Sequence, residues 1–217
     1  MLKGAAFLLL LAAPAQADQT FKVSLGGHQI GWLRYSGSEN NARLSSHFNS
    51  TPLGVFDGSY EGESRKTARG VVYHGKSDSS TKSREVEIRS NATGQTTHVT
   101  IAPERDRTEL SNPAAVPVNA LDPVAGFGRL IAQTCPAAFH LYDGRRVIQV
   151  STKSATTTGA VTTCEVDYRV VQGKGHLSPF YIKKVAIKLV FDPAVATQGP
   201  SLLTLRSGIF EVAFTRD

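Results

Sequence analysis

One stretch limits what this chain can become. LDPVAGFGRLIAQTC, from Leu121 to Cys135, carries the single convincing helix signal in a sequence that otherwise alternates like strand after strand. Asp122 is a favourable N-cap, because its side-chain oxygen can accept from the first free backbone amides. Pro123 suits the first helical position, where no N–H is needed. Val124, Phe127, Leu130 and Ile131 then fall on one stripe at helical spacing. Gly126 and Gly128 weaken such a helix by about 1 kcal/mol each relative to alanine. Something has to compensate, and close approach to a neighbouring strand is the simplest way. Pro136 ends the segment, just after one of only two cysteines.

Period-two alternation dominates elsewhere. Phe21, Val23 and Leu25 alternate with polar neighbours, Gly26-Gly27 permits a tight turn, and Ile30 to Tyr35 returns as the second strand of a hairpin. The alternation resumes at Ala42 to Phe48, then at Gly70 to His74, Arg84 to Arg89 and Thr96 to Ile101. Pro52 to Gly58 reads as a bend that contributes Leu53, Val55 and Phe56 to a core. Gly75 to Ser83 reads as a polar, mobile loop, and Pro103 to Pro117 as extended, proline-punctuated chain. Asp143-Gly144 centres a two-residue hairpin turn. Pairing across it puts Phe139, Leu141, Arg146, Ile148 and Val150 on one face, which makes Arg146 the odd residue among apolar ones. Cys164, Val166, Tyr168 and Val170 share a face, and Tyr181 to Phe191, Leu202 to Arg206 and Ile209 to Thr215 complete the set. The expected fold is mainly β: a single curved antiparallel sheet of roughly ten or eleven strands, a half-open or closed barrel, wrapped around one α-helix.

The first residues read as a signal peptide spanning 1–17. Lys3 supplies the positive end, Gly4 to Ala13 the apolar run, and Ala15-Gln16-Ala17 a cleavage site of small residues. The run is too short for a membrane span. Cleavage after Ala17 would leave residues 18–217, a single domain of 217 − 17 = 200 residues. No later stretch reaches spanning length, so the expectation is a protein that is not transmembrane. Of 24 Lys+Arg and 18 Asp+Glu, loss of Lys3 leaves 23 against 18, or +5. These charges are scattered, as on a solvated surface. Two cysteines in an exported chain most often pair. Cys135 and Cys164 lie 164 − 135 = 29 positions apart, and closing that loop is worth roughly 3 kcal/mol on the chain-entropy model.

Motifs for chemistry are scarce. Gly70 to Ser77, GVVYHGKS, matches a phosphate-binding loop by letters, but its middle is strand-like and no helix pattern follows it. Histidines 28, 47, 74, 98, 140 and 176 form no H-x-H or H-E-x-x-H pattern. There is no G-x-S-x-G elbow and no basic–aromatic run for nucleic acid. The reading is therefore no enzyme, no metal, no cofactor and no nucleic-acid partner.

A helix on the concave side of a curved sheet makes an apolar hollow, the usual form of a small-ligand site. Trp32, Phe48, Phe127, Leu130, Ile131, Phe139 and Leu141 are the candidate lining, with Arg146 at the mouth to meet a negative head group. The alternative is a filled core past which Arg146 reaches to water.

Four segments carry a family likeness: GGHQIG (Gly26 to Gly31), ALDPVAGF (Ala120 to Phe127), YDGRR (Tyr142 to Arg146) and CEVDYRV (Cys164 to Val170). With them the chain resembles the bacterial exported family known as domain of unknown function 3108, over nearly the whole mature length. The helix start followed by the DGRR hairpin is its most specific part, and the family implies no catalytic residues. In architecture the chain is similar to the periplasmic half-barrels of the lipoprotein carrier LolA and acceptor LolB. The family adds no active site, and likeness of architecture does not fix function. The expectation of a soluble periplasmic cell-envelope protein that binds a lipid, an acyl chain or a lipoprotein without catalysis rests on the leader signal and on the Phe127, Leu130 and Ile131 stripe set against alternating apolar strands. The alternative is a filled-core interaction module for envelope integrity or assembly, docking an envelope protein through its outer face or a free sheet edge.

Overall fold

The computed structural model describes residues 18–217 except 39, 50, 52–56, 81, 133 and 177–180. The signal segment, and Leu53, Val55 and Phe56 of the expected bend, lie outside the described residues.

The strands run β1 (Gln19–Leu25), β2 (His28–Gly37), β3 (Asn41–Phe48), β4 (Gly58–Thr67), β5 (Gly70–Ser79), β6 (Ser83–Asn91) and β7 (Thr96–Ala102). After the helix α1 (Pro123–Leu130) come β8 (Phe139–Tyr142), β9 (Val147–Thr158), β10 (Val161–Gln172), β11 (Lys184–Phe191), β12 (Leu202–Ser207) and β13 (Phe210–Arg216). All thirteen form one sheet, in the order β7-β6-β5-β4-β3-β2-β1-β13-β12-β11-β10-β9-β8. Every neighbouring pair is antiparallel. The first and last strands meet in the middle, with Val23 opposite Phe214, and the chain zigzags outward from that seam in both directions. The sheet is not closed by hydrogen bonds: β7 and β8 are its two edges.

Residues 103–138 join those edges. They hold three single turns of 3-10 helix, at Glu104–Asp106, Glu109–Ser111 and Pro113–Ala115, where extended chain was expected. Asn112 caps the last of these by accepting from the Ala114 amide at 3.1 Å, which is how such proline-rich chain turns on itself. Just before α1, Leu121 lies parallel beside β8, giving its amide to His140 O and accepting from the Tyr142 amide, both at 2.8 Å.

The inner face holds one continuous core. Phe21, Val23, Leu33, Tyr35, Tyr73, Ile88, Ile101, Val150, Cys164, Val166, Leu189 and Leu203 are all buried in it. Three sequence readings need correction. The sheet has more strands than ten or eleven because β4, GSYEGESRKT, carries no aliphatic residue and was not recognisable by alternation. Gly75 to Ser83 is not a loop, since β5 continues to Ser79 and pairs Ser77 with Arg84 and Asp78 with Ser83. The β8–β9 turn pairs Tyr142 with Val147, not with Arg145. Asp143 causes that shift: its carboxylate accepts from the Arg145 and Arg146 amides and organises a four-residue loop. A shift of two leaves every face as expected but lifts Arg146 out of the ladder.

Helix α1 is also shorter than its signal, eight residues ending at Leu130. Among the described residues no helix is long and apolar enough to cross a membrane. Cys135 and Cys164 are joined, with their Cα atoms 5.6 Å apart. The bond ties the segment after the helix to a fully buried position of β10.

Candidate functional site

The helix is seated on one part of the inner face. Asp122, itself buried, accepts from the Val124 and Ala125 amides at 2.9 Å and from the Ser64 hydroxyl of β4 at 2.6 Å. Burial raises the Asp122 carboxyl above the ordinary range, and the bonds from Ser64 and the two amides oppose that rise. The two weak points of the helix are its contact points. A side chain at Gly126 would stand 2.7 Å from Leu141, and one at Gly128 would collide with the Tyr35 hydroxyl. Phe127 meets Phe21 edge-on at 6.5 Å between centroids and Tyr35 at 5.7 Å. Helix α1 therefore packs chiefly on β1–β4 and β8 and stands off from β10–β13.

Between the helix and those strands lies a cavity of about 360 Å³. Phe127, Leu130, Phe139 and Leu141 wall it on the helix side, and Val150, Val185, Ile187, Leu203, Leu205 and Phe214 on the sheet side, with Leu33 of β2 and Leu44 of β3 at its border with the other strands. The volume lies near the lower end of small-ligand pockets, about 300–1,000 Å³, and is well above the roughly 150 Å³ that admits benzene. Among its described lining residues only Tyr168 and His176 carry polar side chains.

Those two form a polar corner. The Tyr168 hydroxyl lies 2.7 Å from His176 Nε2, and Arg146 Nη1 lies 2.8 Å from His176 Nδ1. Arg146 Nε donates to Asp143 Oδ2 at 2.8 Å. Burial and the Arg146 cation push the His176 imidazole down to about 4. Burial also lifts the Tyr168 phenol well above its ordinary value.

The structure brings together some of the residues singled out from sequence and disperses others. Phe127, Leu130, Phe139 and Leu141 line the cavity. Ile131 is buried in the core beside it, and Phe48 packs half-buried at the end of β3. Trp32 sits on the outer face, 38% exposed, with the Arg34 guanidinium 5.6 Å from its ring. A bulge in β2, where Ile30 is skipped between the Val23–Gly31 and Ser24–Gln29 pairs, separates Trp32 from the buried Ile30. Arg146 is not in the lining; it stands behind His176, its guanidinium held by Asp143 and His176. Tyr168 and His176 were not singled out. The one clue was Tyr168 itself, a phenol on a strand face otherwise occupied by Cys164, Val166 and Val170.

A second concavity lies on the outer face of β2–β7 and is lined by both signs of charge. Arg43 pairs with Glu63 at 3.6 Å and Lys76 with Glu85 at 3.8 Å, all of them exposed. Such exposed pairs contribute little, and the mixed lining, Arg34, Arg43 and Lys76 against Glu61, Glu63, Glu85 and Glu87, offers no concentrated charge of one sign to recognise a ligand.

No family model, no characterised protein and no solved structure matches this chain, so the site's own geometry has to indicate its use.

Proposed function

We propose that this chain is an exported, periplasmic binding protein for an apolar ligand such as a lipid or acyl chain. One observation carries the reading: a cavity of about 360 Å³ whose described lining is apolar except for one tyrosine and one histidine. A fold of this size ordinarily fills its interior to near-crystalline density. Here the helix is held away from β10–β13 by contacts specific to the other strands, so the space is built in. Its walls reward an apolar guest by about 25 cal/mol per Å² of surface removed from water. The open space favours this reading over a filled-core interaction module, and the disulfide and leader signal agree with an oxidising compartment.

The test uses N-phenyl-1-naphthylamine, a neutral probe that fluoresces in apolar surroundings. Saturable binding of one probe per chain is expected, with competition by lauric acid methyl ester. Val185→Phe places a ring into the cavity and should abolish the signal while the far-ultraviolet spectrum stays β-rich. Absence of saturable binding by the native chain would refute the proposal.

A further inference from the structure

The polar corner sets a direction for protons that bears on which apolar ligand the cavity takes. Arg146 is always a donor at Nη1, since guanidinium has no acceptor. His176 Nδ1, 2.8 Å away, must therefore accept. A neutral imidazole that accepts at Nδ1 carries its hydrogen on Nε2. At 2.7 Å that hydrogen is donated to the Tyr168 oxygen. The Tyr168 hydroxyl then has its own hydrogen unspent, on a side chain that lines the cavity.

Building on the apolar-ligand reading, we infer that Tyr168 donates a hydrogen bond to a neutral carbonyl oxygen, such as that of an ester, on a ligand whose hydrocarbon part fills the cavity. His176 is a positioning residue that fixes which way the phenol points. A carboxylate fits the corner poorly. Arg146, the nearest cation, is already matched by Asp143 at 2.8 Å and shielded by His176, and no Lys or Arg is among the described lining residues. Burying a carboxylate there would leave its charge uncompensated. One hydroxyl donor satisfies one neutral carbonyl.

Methyl hexanoate, octane and hexanoate are titrated at pH 7.5 into the chain carrying 13C-labelled leucine methyls, and the shifts of Leu130, Leu203 and Leu205 are followed. Both neutral probes should move these methyls, with hexanoate binding at least tenfold more weakly than its ester. Tyr168→Phe should weaken the ester about tenfold, the effect of leaving one buried acceptor unpaired, and leave octane within twofold of its native affinity. His176→Leu should have the same selective effect. His176→Gln, whose amide can accept from Arg146 and donate to Tyr168, should restore ester binding. An ester affinity indifferent to Tyr168→Phe, or hexanoate bound as tightly as the ester, overturns the carbonyl site while octane binding preserves the apolar pocket. Leucine methyls that octane does not move overturn both.

Discussion

The two wings of the sheet solve the same packing problem in opposite ways. In β2–β5 the inner face is built on a repeated Tyr-x-Gly: Tyr35-Ser36-Gly37, Tyr60-Glu61-Gly62 and Tyr73-His74-Gly75. In each, the ring leans along its own strand and its hydroxyl covers the glycine two residues on. Strand glycines leave bare backbone and sharp bends, and an aromatic ring laid over them restores the missing contact. Tyr60 and Tyr73 then bond to each other at 2.9 Å, and burial holds both phenols far above their ordinary range. In β10–β13 most of the residues facing the helix across the cavity are short aliphatics, Val185, Ile187, Leu203 and Leu205, with Tyr168 and Phe214 the two larger exceptions. One wing is packed against the helix, and the cavity opens mainly along the other. The lesson is that curvature alone does not make a pocket; the size of the side chains facing the helix decides which part of the interior stays open.

The largest effect should come from adding volume to the packed wing. A side chain at Gly75 would occupy the place of the Tyr73 hydroxyl. Gly75→Val should cost about 4 kcal/mol, combining overpacking with loss of the buried Tyr60–Tyr73 hydrogen bond. Urea unfolding would measure it. A cost below about 1 kcal/mol would mean that the tyrosine wing is looser than its geometry implies.

Next in size is the link between the wings. Cys135→Ser with Cys164→Ser frees a loop of 29 residues and should lower the unfolding free energy by about 3 kcal/mol. Because the bond holds the segment after α1 against β10, amide exchange should rise first at Ile131 and Ala132, before it rises in β4 and β5. Uniform exchange across both wings would show that the disulfide acts only on the unfolded chain.

The third separates the wings by pH. His176 belongs to the cavity wing, and its pKa is depressed from 6.5 to about 4 by burial and by Arg146. A depressed base binds fewer protons folded than unfolded, so its contribution is complete above pH 6.5 and is lost as pH falls from 6.5 to 4. The loss amounts to roughly 3 kcal/mol at most. His176→Gln should flatten stability over that window. Asp122, under the helix on the other wing, has the opposite sign: its raised carboxyl makes the folded state lose stability as pH rises above the ordinary carboxylate range. Asp122→Asn should remove that slope and leave the histidine slope in place.

How much of this the sequence could convey follows from the same contrast. The aliphatic wing was readable: Cys164, Val166, Tyr168 and Val170, and Val185, Ile187, Leu189 and Phe191, declare an inner face by alternation alone. The helix start was readable because Asp122 and Pro123 act locally. Strand β4 was not, because its inner positions are Tyr60, Gly62 and Ser64, chosen for their partners Tyr73, Val124 and Asp122 rather than for hydrophobicity. The Tyr-x-Gly repeat was the available signal. The cavity's helix-side wall followed from the stripe at Phe127 and Leu130. Its polar corner did not, since Tyr168, His176 and Arg146 come from three separated segments and meet only in the folded chain.

The smallest expected effect discriminates best, because its sign differs between the wings. Val185 lies opposite Tyr168 in the β10–β11 ladder and faces the cavity. Val185→Phe adds a ring where there is room, so the change should stabilise the chain by about 1 kcal/mol, the usual yield of filling a cavity. The same enlargement in the tyrosine wing destabilises. Urea unfolding of Val185→Phe beside Gly75→Val measures the pair under one condition. Two destabilisations of similar size would mean that the space along β10–β13 closes in solution, and the ligand reading would lose its basis. A gain for Val185→Phe, together with loss of probe binding, would place the probe in the space along β10–β13 and set that wing apart from the packed one, where the same enlargement is a loss.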